Sequence, residues 1–338
     1  MKPDVSVYAK SDKPKLLVIE LWGLGDLAIA TAFLKGACEK YDVTLIAKPH
    51  AVEIQPYFWP AVKVIPFTAP WTRFAQKYDL FKWNWGSFFE LVKTVRKEGF
   101  DLALSARWDP RDHLLMSFCR VKERLGFPRA SSGIFLTKAL SHPSRELHRY
   151  EYWRALGEEI GVELPARSKA IEPTNPIRSI LFHSGAAQPV RIWPLNRALG
   201  IVNRLRAVGF IVQVACDPNQ QAWWRQQNEE AVTPVNIDQL MALLDAADLF
   251  IGNDSGPGHV AAAAGVPTFT IFGPQLPELF LPVHSMAGYV EGKPCRYKPC
   301  SDNCRYPTPH CIDGLSEGEV WGFLQQYLRR HELADATP

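Results

Sequence analysis

The stretch DLFIGNDSGPGHVAAAAGVPTFTIFGP, residues 248–274, decides the class of fold. Its first apolar run predicts a buried strand, a glycine-rich turn follows, and a row of alanines predicts a helix before a second apolar run, TFTIF. A strand, a helix and a strand in this order form the crossover that joins two parallel strands. The stretch therefore predicts an α/β fold with a parallel sheet.

The same alternation continues on both sides of this stretch. The runs LLVIELW, YDVTLIA, VKVIPF and DLALSA predict strands of a first sheet, and IRSILFH and GFIVQVAC predict strands of a second. Since 338 residues suffice for two domains, we predict two Rossmann-like domains, residues 1–173 and 174–338, with a linker at 164–176 and a cleft between the carboxyl edges of their sheets. Helices are predicted over residues 27–41, 88–98, 146–160, 196–208, 219–230, 237–246 and 317–330.

The loop GNDSGPGH, residues 252–259, has the features of an anion site. A helix start offers unpaired backbone N–H groups and the positive end of the helix dipole, and Ser255 and His259 can add donors. Asp254 would instead order the loop or accept from a sugar hydroxyl. The alternative is that Asp254 or Ser255 only caps the helix. We favour the anion site, because capping does not account for three glycines, a proline and a histidine in one turn.

A second glycine loop lies in LLVIELWGLGDLAIATAFLKGA, residues 16–37. The pattern Gly-x-Gly-x-x-Ala from Gly23 fits the dinucleotide fingerprint and suggests an NAD-dependent oxidoreductase. Asp26, however, places an anion where a pyrophosphate would lie. The fingerprint also requires an acidic residue at the end of the second strand, and here YDVTLIA is followed by KPH, with Glu53 further on. The oxidoreductase is therefore the less favoured alternative.

The pattern DSGP-x-H-x-AAA-x-G-x-P from Asp254, followed by FGP, resembles the donor-site signature of the bacterial heptosyltransferases, glycosyltransferase family nine. HSGA at 183–186 with RIWP at 191–194 is similar to a further stretch of that family. The resemblance implies a GT-B fold of two Rossmann-like parallel-sheet domains, with ADP-heptose held by the C-terminal one. It implies a phosphate contact from Arg191, where the family often has lysine, and donor contacts from Ser184, Gly185, Asp254, Ser255, Gly256, His259 and Gly273.

Gly25-Asp26 resembles the Gly-Asp pair of the family's N-terminal loop, whose aspartate is the catalytic base of an inverting transfer. The resemblance also implies a reaction that requires no cofactor besides the nucleotide sugar. The alternative for Asp26 is that it only forms the N-cap of a helix beginning at Leu27. The sequence departs from the family at DPNQ, residues 217–220, where many members have a glycine-rich turn and a glutamate; whether Asp217 replaces that glutamate stays open.

Acceptor contacts are predicted in SARWDPRDH, residues 105–113, which follows the strand DLAL. Arg107 and Arg111 are suited to the phosphates or carboxylates of an acidic glycan. The alternative is a salt-bridged helix start in which Asp109 and Asp112 pair with these arginines. The formal net charge is +3, and the excess of basic residues lies in the first half of the chain, which tips the balance toward an acidic acceptor.

Aromatic rings are dense in YDLFKWNWGSFFELVK, residues 78–93. Such rings fill cores most often, and some contact sugars or lipid headgroups. No single ring is assigned a role.

Four of the seven cysteines, Cys295, Cys300, Cys304 and Cys311, lie in one loop with His310 beside the last. Four such ligands suit a structural zinc or iron ion, but the spacing is not that of paired C-x-x-C motifs. Free thiols are therefore favoured over a structural metal, and a catalytic metal is not expected. Cys38, Cys119 and Cys216 are predicted to be small core residues.

No apolar run is long enough to span a bilayer, and the first residues lack the apolar core of a signal peptide. We therefore expect a cytoplasmic protein, peripheral on the inner face of the cytoplasmic membrane, with a lipid-linked or acidic glycan as acceptor and no nucleic-acid partner. The expected function is inverting transfer of heptose from ADP-heptose onto a lipopolysaccharide core or related glycan. A non-enzymatic, metal-stabilised binding module is the other alternative.

Overall fold

The computed structural model describes residues 12–72, 79, 83–144, 146–167, 177–300 and 303–334. The chain forms two compact units, and neither is continuous in sequence. The first consists of Met1–Leu21, Phe33–His142 and Arg154–Glu163, and the second of Trp22–Ala32, Pro143–Trp153 and Leu164–Pro338. The predicted boundary between residues 173 and 174 lies outside the described residues. The predicted catalytic segment around Asp26 groups with the second unit, not with the first.

The first unit contains a six-stranded parallel sheet in the order β3-β2-β1-β4-β5-β6. The central strands are buried on both faces, which is why they occur in the sequence as continuous apolar runs. The four strands predicted for this sheet are present, whereas the two short strands at one side of the sheet, ERLG and KA, carry no such run. The strands are β1 (Lys15–Glu20), β2 (Asp42–Ala47), β3 (Lys63–Pro66), β4 (Leu102–Ser105), β5 (Glu123–Gly126) and β6 (Lys138–Ala139).

The second unit contains a five-stranded parallel sheet in the order β11-β10-β9-β7-β8. Every residue of the strands LFIGN and TFTIF is buried, as predicted from the sequence of residues 248–274. The parallel α/β fold is thus confirmed in both units. The strands are β7 (Ser179–His183), β8 (Ile211–Ala215), β9 (Leu249–Asn253), β10 (Thr268–Phe272) and β11 (Ala287–Glu291).

Thirteen α-helices are described, of which those at 50–58, 110–118, 277–280 and 310–313 were not predicted, and two predicted helices differ from the prediction. The single helix expected over 27–41 is two helices, and the helix expected over 219–230 ends early, because Asn228 takes a left-handed conformation with φ 59°. No described helix is long and apolar enough to cross a membrane. The helices are α1 (Leu24–Ile29), α2 (Thr31–Lys40), α3 (His50–Phe58), α4 (Trp85–Glu98), α5 (Pro110–Phe118), α6 (Arg149–Glu159), α7 (Leu195–Ala207), α8 (Gln221–Gln226), α9 (Ile237–Asp245), α10 (Gly256–Ala263), α11 (Pro277–Phe280), α12 (His310–Asp313) and α13 (Glu317–Ala334).

Candidate functional site

The glycine loop between β9 and α10 forms the centre of the candidate site, in the second unit. Its backbone approaches its neighbours closely, which explains the glycines. A Cβ on Gly252 would lie 2.8 Å from the carbonyl oxygen of His183, and one on Gly258 would lie 3.3 Å from Phe250. A Cβ on Gly256 would lie 3.1 Å from the Cβ of Leu24, so α10 begins against α1. Glycine at these positions permits the close approach of backbone to backbone that the site requires.

Ser255 is the N-cap residue of α10 by its backbone, with φ −151° and ψ 161°, yet its side chain makes no capping hydrogen bond. Its hydroxyl is buried and has no hydrogen-bond partner among the described residues. The alternative that Ser255 serves only as a cap is therefore wrong for this helix. A buried hydroxyl without a partner is costly, and at a helix N-terminus it is placed to donate to an anion.

Asp254 does not cap the helix either, because its carboxylate accepts from a residue far away in sequence. Arg191 Nη1 donates to Asp254 Oδ2 over 3.1 Å, with the arginine side chain 24% exposed and the aspartate 4%. Burial raises the pKa of Asp254 to about 6; Arg191 opposes that rise and Asp26 adds to it. The cation predicted to contact donor phosphates therefore lies beside the glycine loop.

His259 is buried in the first turn of α10, and its ring packs against the α1 segment. A Cβ on Gly25 would lie only 2.8 Å from Cδ2 of His259. Burial lowers the pKa of His259 to about 4, an effect that Asp26 opposes and Arg191 reinforces. The imidazole is therefore neutral near pH 7. Its Nδ1 has no hydrogen-bond partner in the described part of the chain.

Asp26 is half-buried in α1 and acts electrostatically on both Asp254 and His259. Its Oδ2 accepts from the backbone N–H of Gly23 over 3.2 Å. The helix begins at Leu24 with Gly23 as N-cap, so Asp26 occupies the third helical position and reaches back to the cap. The expectation that Asp26 itself is the N-cap of a helix beginning at Leu27 is therefore wrong. One carboxylate oxygen is held by the backbone, which fixes the direction of the group.

Ser184, at the carboxyl end of β7, is part of a buried network that fixes the neighbouring loops. Its hydroxyl donates to Gln220 Oε1 over 2.8 Å and accepts from Trp224 Nε1 over 3.0 Å. Its carbonyl oxygen accepts from Asn253 Nδ2 over 2.8 Å, and Asn253 Oδ1 accepts from the N–H of Trp193 over 3.1 Å. Asn253 was not predicted as a site residue, although an asparagine at the end of a fully buried strand is a signal for such a contact.

Gly185 is required by the carboxylate of Asp217, since a Cβ there would lie 2.3 Å from Asp217 Cγ. The carboxylate therefore lies over the backbone that follows β7. Burial lowers the pKa of the adjacent His183, and Asp217 opposes that change. Gly273 has a packing role, because a Cβ there would lie 2.7 Å from the Cβ of Ile312.

The predicted acceptor residues lie in the first unit, around the start of α5. Arg111 donates to both carboxylate oxygens of Asp109, over 2.8 and 2.6 Å, while Asp109 also accepts from the backbone N–H of Arg111. The alternative of a salt-bridged helix start is therefore correct for this pair. Asp112 has other hydrogen-bond partners: it is fully buried and accepts from Ser105 Oγ over 3.2 Å and Trp71 Nε1 over 3.4 Å. Burial raises the pKa of Asp112, and the charge of Arg107 opposes that rise. Arg107 is half-buried, and its backbone N–H donates to Ser105 Oγ.

The cysteines of the 295–311 loop are free thiols that act on one another electrostatically. Cys300 Sγ donates to the carbonyl of Tyr297 over 3.1 Å, and Cys304 Sγ donates to the carbonyl of Thr308 over 3.7 Å. Within the described ranges no three Cys, His, Asp or Glu side chains are grouped as metal ligands. Of the three predicted core cysteines, Cys119 and Cys216 are buried and Cys38 is only half-buried.

A basic residue, two carboxylates and polar atoms without a partner among the described residues therefore lie together at a helix N-terminus after a parallel sheet, an arrangement suited to a phosphorylated ligand. The family model of glycosyltransferase family 9 (heptosyltransferase) matches residues 88–307, and the chain belongs to this family. The predicted family is thus confirmed, and with it the GT-B class of fold with two Rossmann-like units. A glycosyltransferase family argues against the NAD-dependent oxidoreductase and the non-enzymatic binding module.

Three relatives illustrate the similarity. Lipopolysaccharide heptosyltransferase 3 of Escherichia coli is 26% identical over 216 residues, which cover 55% of this chain and 63% of that protein. The lipopolysaccharide core heptosyltransferase OpsX of Haemophilus influenzae is 22% identical over 310 residues, 83% of this chain and 85% of that protein. The solved structure of E. coli ADP-heptose lipopolysaccharide heptosyltransferase II superposes with a TM-score of 0.69 at 17% identity, over 94% of this chain and 99% of that one.

Proposed function

We propose that this protein is an inverting glycosyltransferase that transfers heptose from ADP-heptose to a lipopolysaccharide core or a related cell-surface glycan. One observation carries the proposal. Arg191, Asp254 and the open donors of Ser255 and His259 lie at the N-terminus of α10, and Asp26 is close enough to act on two of them. The sugar and nucleotide follow from the relatives, whose names give lipopolysaccharide and ADP-heptose.

The donor diphosphate would lie at the N-terminus of α10. Backbone N–H groups and the helix dipole favour an anion there, and Ser255 Oγ and the neutral imidazole of His259 have hydrogen-bonding capacity to offer. Arg191 would share its guanidinium between Asp254 and the phosphates, for which its fork of donors is suited. Asp254, with one oxygen on Arg191, would accept from a hydroxyl of the sugar.

The reaction itself would be a single displacement at the anomeric carbon. Asp26 takes the proton of the acceptor hydroxyl as that oxygen forms the new bond to carbon, and the bond from carbon to the diphosphate oxygen breaks on the opposite face. The electron pair of the broken bond stays on ADP, where Arg191 and the helix terminus stabilise the added negative charge. These residues supply the proton transfer and the charge stabilisation, so we propose that nothing besides the nucleotide sugar is needed as a cofactor.

Four small residues of the proposed donor site position its loops and allow close packing: Ser184, Gly185, Gly256 and Gly273. The Ser184 hydroxyl is occupied by Gln220 and Trp224, so we propose that Ser184 positions the loop and leaves contact with the donor to its backbone. Gly185 and Gly256 allow close approach of Asp217 and Leu24. Gly273 lets Ile312 pack against the loop after β10.

We propose that Arg107 and Arg111 contact the acceptor. The acceptor would be acidic and lipid-linked, and the enzyme would therefore work at the inner face of the cytoplasmic membrane. Arg111 already holds both oxygens of Asp109. It would therefore offer an acceptor only its remaining N–H groups.

The four loop cysteines are proposed to be free thiols in the working enzyme. Metal analysis of protein purified without a polyhistidine tag tests this proposal. We expect no stoichiometric metal, and one zinc or iron per chain would contradict it.

The function is tested by incubating the protein with ADP-heptose and isolated core oligosaccharide acceptors, and by thermal shift with ADP, UDP, GDP and NAD. We expect release of ADP, an anomeric configuration opposite to that of the donor, and stabilisation by ADP. Stabilisation by NAD alone, or a product with retained configuration, would contradict the proposal.

A further inference from the structure

A shallow groove with a volume of about 470 Å³ lies along α4 in the first unit. None of the residues that line it belongs to the candidate donor site. Apolar and basic side chains line it together. We define the α4 surface by Phe89, Lys93, Arg96, Lys97 and Phe118. None of the seven described residues that line the groove is acidic.

The aromatic residues of the α4 surface are exposed to an extent that is unusual for their type. Phe89 is 63% exposed, Phe118 43%, and the neighbouring Trp85 42%. Phe88 and Val92 form the floor below them and belong to the core of the first unit. Exposed aromatic rings grouped around one groove indicate a binding surface and not isolated apolar residues of the kind every protein exposes.

The rings are held in place by a continuous series of aromatic contacts that begins in the core. The ring centroids of the buried Trp71 and of Trp83 are 5.6 Å apart, those of Trp83 and Trp85 are 5.3 Å apart, and those of Trp85 and Phe89 are 6.3 Å apart. Such contacts restrict the rings before any partner binds. Binding therefore costs less side-chain entropy than it would on an unordered surface.

The basic residues share the helical face of the aromatic ones. Lys93 and Lys97 follow Phe89 at steps of four residues, which places all three on neighbouring turns of one side of α4. Arg96 Nε donates to the carbonyl oxygen of Phe118 over 2.7 Å, which holds the guanidinium at the groove. Glu98, the acidic residue at the end of the helix, is turned to Lys15 at 3.4 Å. Glu90 is the remaining acidic residue of α4, and it does not line the groove.

We propose that the α4 surface docks this protein on an anionic lipid bilayer. Aromatic rings with a polar or charged border partition into the headgroup region, and each Lys or Arg near an anionic surface adds to the attraction. The three cations around the groove complement lipid phosphates, and the exposed phenylalanines reach between headgroups. The inference deepens the proposed function and rests on its lipid-linked acceptor, which a docked enzyme would meet at the surface.

The test is sedimentation of the full-length protein with vesicles of phosphatidylcholine, with and without phosphatidylglycerol. We expect at least tenfold tighter binding to the anionic vesicles, lost on raising the salt concentration. Lys93→Glu with Lys97→Glu should weaken binding at least tenfold, and Phe89→Gln several-fold. The matched controls are Lys35→Glu with Arg178→Glu, which changes the same charge at exposed sites elsewhere, and Phe323→Gln on α13, where the ring is 51% exposed.

Two readouts separate this proposal from the proposed function. Transfer to a soluble, delipidated acceptor should be unchanged in the α4 variants, and their thermal midpoints should match the wild type. Absence of wild-type binding to anionic vesicles, or equal loss in the control variants, would overturn the docking surface while leaving the transferase intact. Vesicle binding with the expected pattern but no turnover of ADP-heptose would instead overturn the transferase.

Discussion

Each unit has a buried aspartate that follows a strand of its sheet, Asp112 in the first turn of α5 and Asp254 in the loop before α10, and the two sites solve the same electrostatic problem differently. In the first unit, Asp112 is fully buried, and burial raises its pKa to about 7. In the second, burial raises the pKa of Asp254 to about 6. Asp112 is satisfied by neutral donors, Ser105 and Trp71, whereas Asp254 is held by the cation Arg191.

The polar groups beside the two carboxylates also differ in their hydrogen bonding. Beside Asp254, Ser255 Oγ and His259 Nδ1 have no partner among the described residues. Beside Asp112, the imidazole of His113 pairs with Ser132 through Nδ1 at 2.9 Å, while its Nε2 faces Gly126 and has no hydrogen-bond partner among the described residues. The first site therefore keeps one unpartnered nitrogen, which faces a strand of its own sheet, whereas the second keeps a hydroxyl and a nitrogen at a helix N-terminus, where an anion is favoured. A buried charged pair with open donors around it marks a site more reliably than a buried aspartate alone.

The largest expected effect is that of Asp26→Asn on transfer. A general base contributes roughly 10²–10⁴-fold to rate, so turnover of ADP-heptose should fall by about 10³-fold. The ADP-induced rise of the thermal midpoint should persist, because the amide oxygen can still accept from Gly23. Asp42→Asn, at the start of β2, is the control and should keep full turnover. Retained turnover in Asp26→Asn would show that Asp26 is not the base.

A comparison of Arg191→Ala with Arg111→Ala tests whether the donor binds beside Asp254 or beside Asp109. Loss of Arg191 removes the cation from Asp254 and from the proposed phosphates, and we expect ADP affinity to fall about 10²-fold, in line with roughly 3 kcal/mol for a charged hydrogen bond in a desolvated site. Arg111→Ala should leave ADP affinity within about twofold, since Arg111 serves Asp109. Calorimetric titration of both variants with ADP gives the comparison. Equal affinities would show that the phosphate site is misplaced.

Ser255→Ala and Ser184→Ala form a matched pair within the second unit. The hydroxyl of Ser255 has no partner to lose among the residues that the structure describes, so its removal should leave the thermal midpoint unchanged and weaken ADP binding about tenfold. Ser184 has two hydrogen-bonded neighbours in the core, so its removal should lower the free energy of unfolding by about 1–3 kcal/mol. A reversal, with Ser255→Ala destabilising the fold, would assign Ser255 a structural role.

The smallest expected effect is that of Asp112→Asn on the pH dependence of the free energy of unfolding. The pKa of Asp112 rises from about 4 in the unfolded chain to about 7 in the folded one. The folded state therefore keeps a proton that the unfolded chain has lost, and stability falls as the pH rises from 4 to 7. Asp112→Asn has no carboxyl group to titrate, so its free energy of unfolding should fall less with rising pH. Relative to the wild type, the variant should gain roughly 1–3 kcal/mol at pH 8 compared with pH 5. Denaturant unfolding at both pH values measures it; parallel pH profiles would contradict a raised pKa.

Much of the fold was predictable because its signals are local. The fully buried strands β9 and β10 are recognised from uninterrupted apolar residues, and the glycine loop between them from its composition. The prediction was wrong where one residue decided the end of an element. The helix predicted over 219–230 ends at Gln226 because Asn228 takes a left-handed conformation. The short strands β5 and β6 carry no apolar run of their own.

The sequence by itself determined the parallel α/β class, the family, and the residue types of the donor loop, because burial on both faces of a sheet and a tight glycine turn each restrict a few adjacent residues. The tertiary structure alone decided that Ser255 leaves its helix uncapped, that Arg191 pairs with Asp254, 63 residues away, and that the segment of Asp26 groups with the second unit. The physical reason is that electrostatic pairing and desolvation depend on distances between residues remote in the chain. A carboxylate is a cap, a structural partner or a base according to what folding brings beside it.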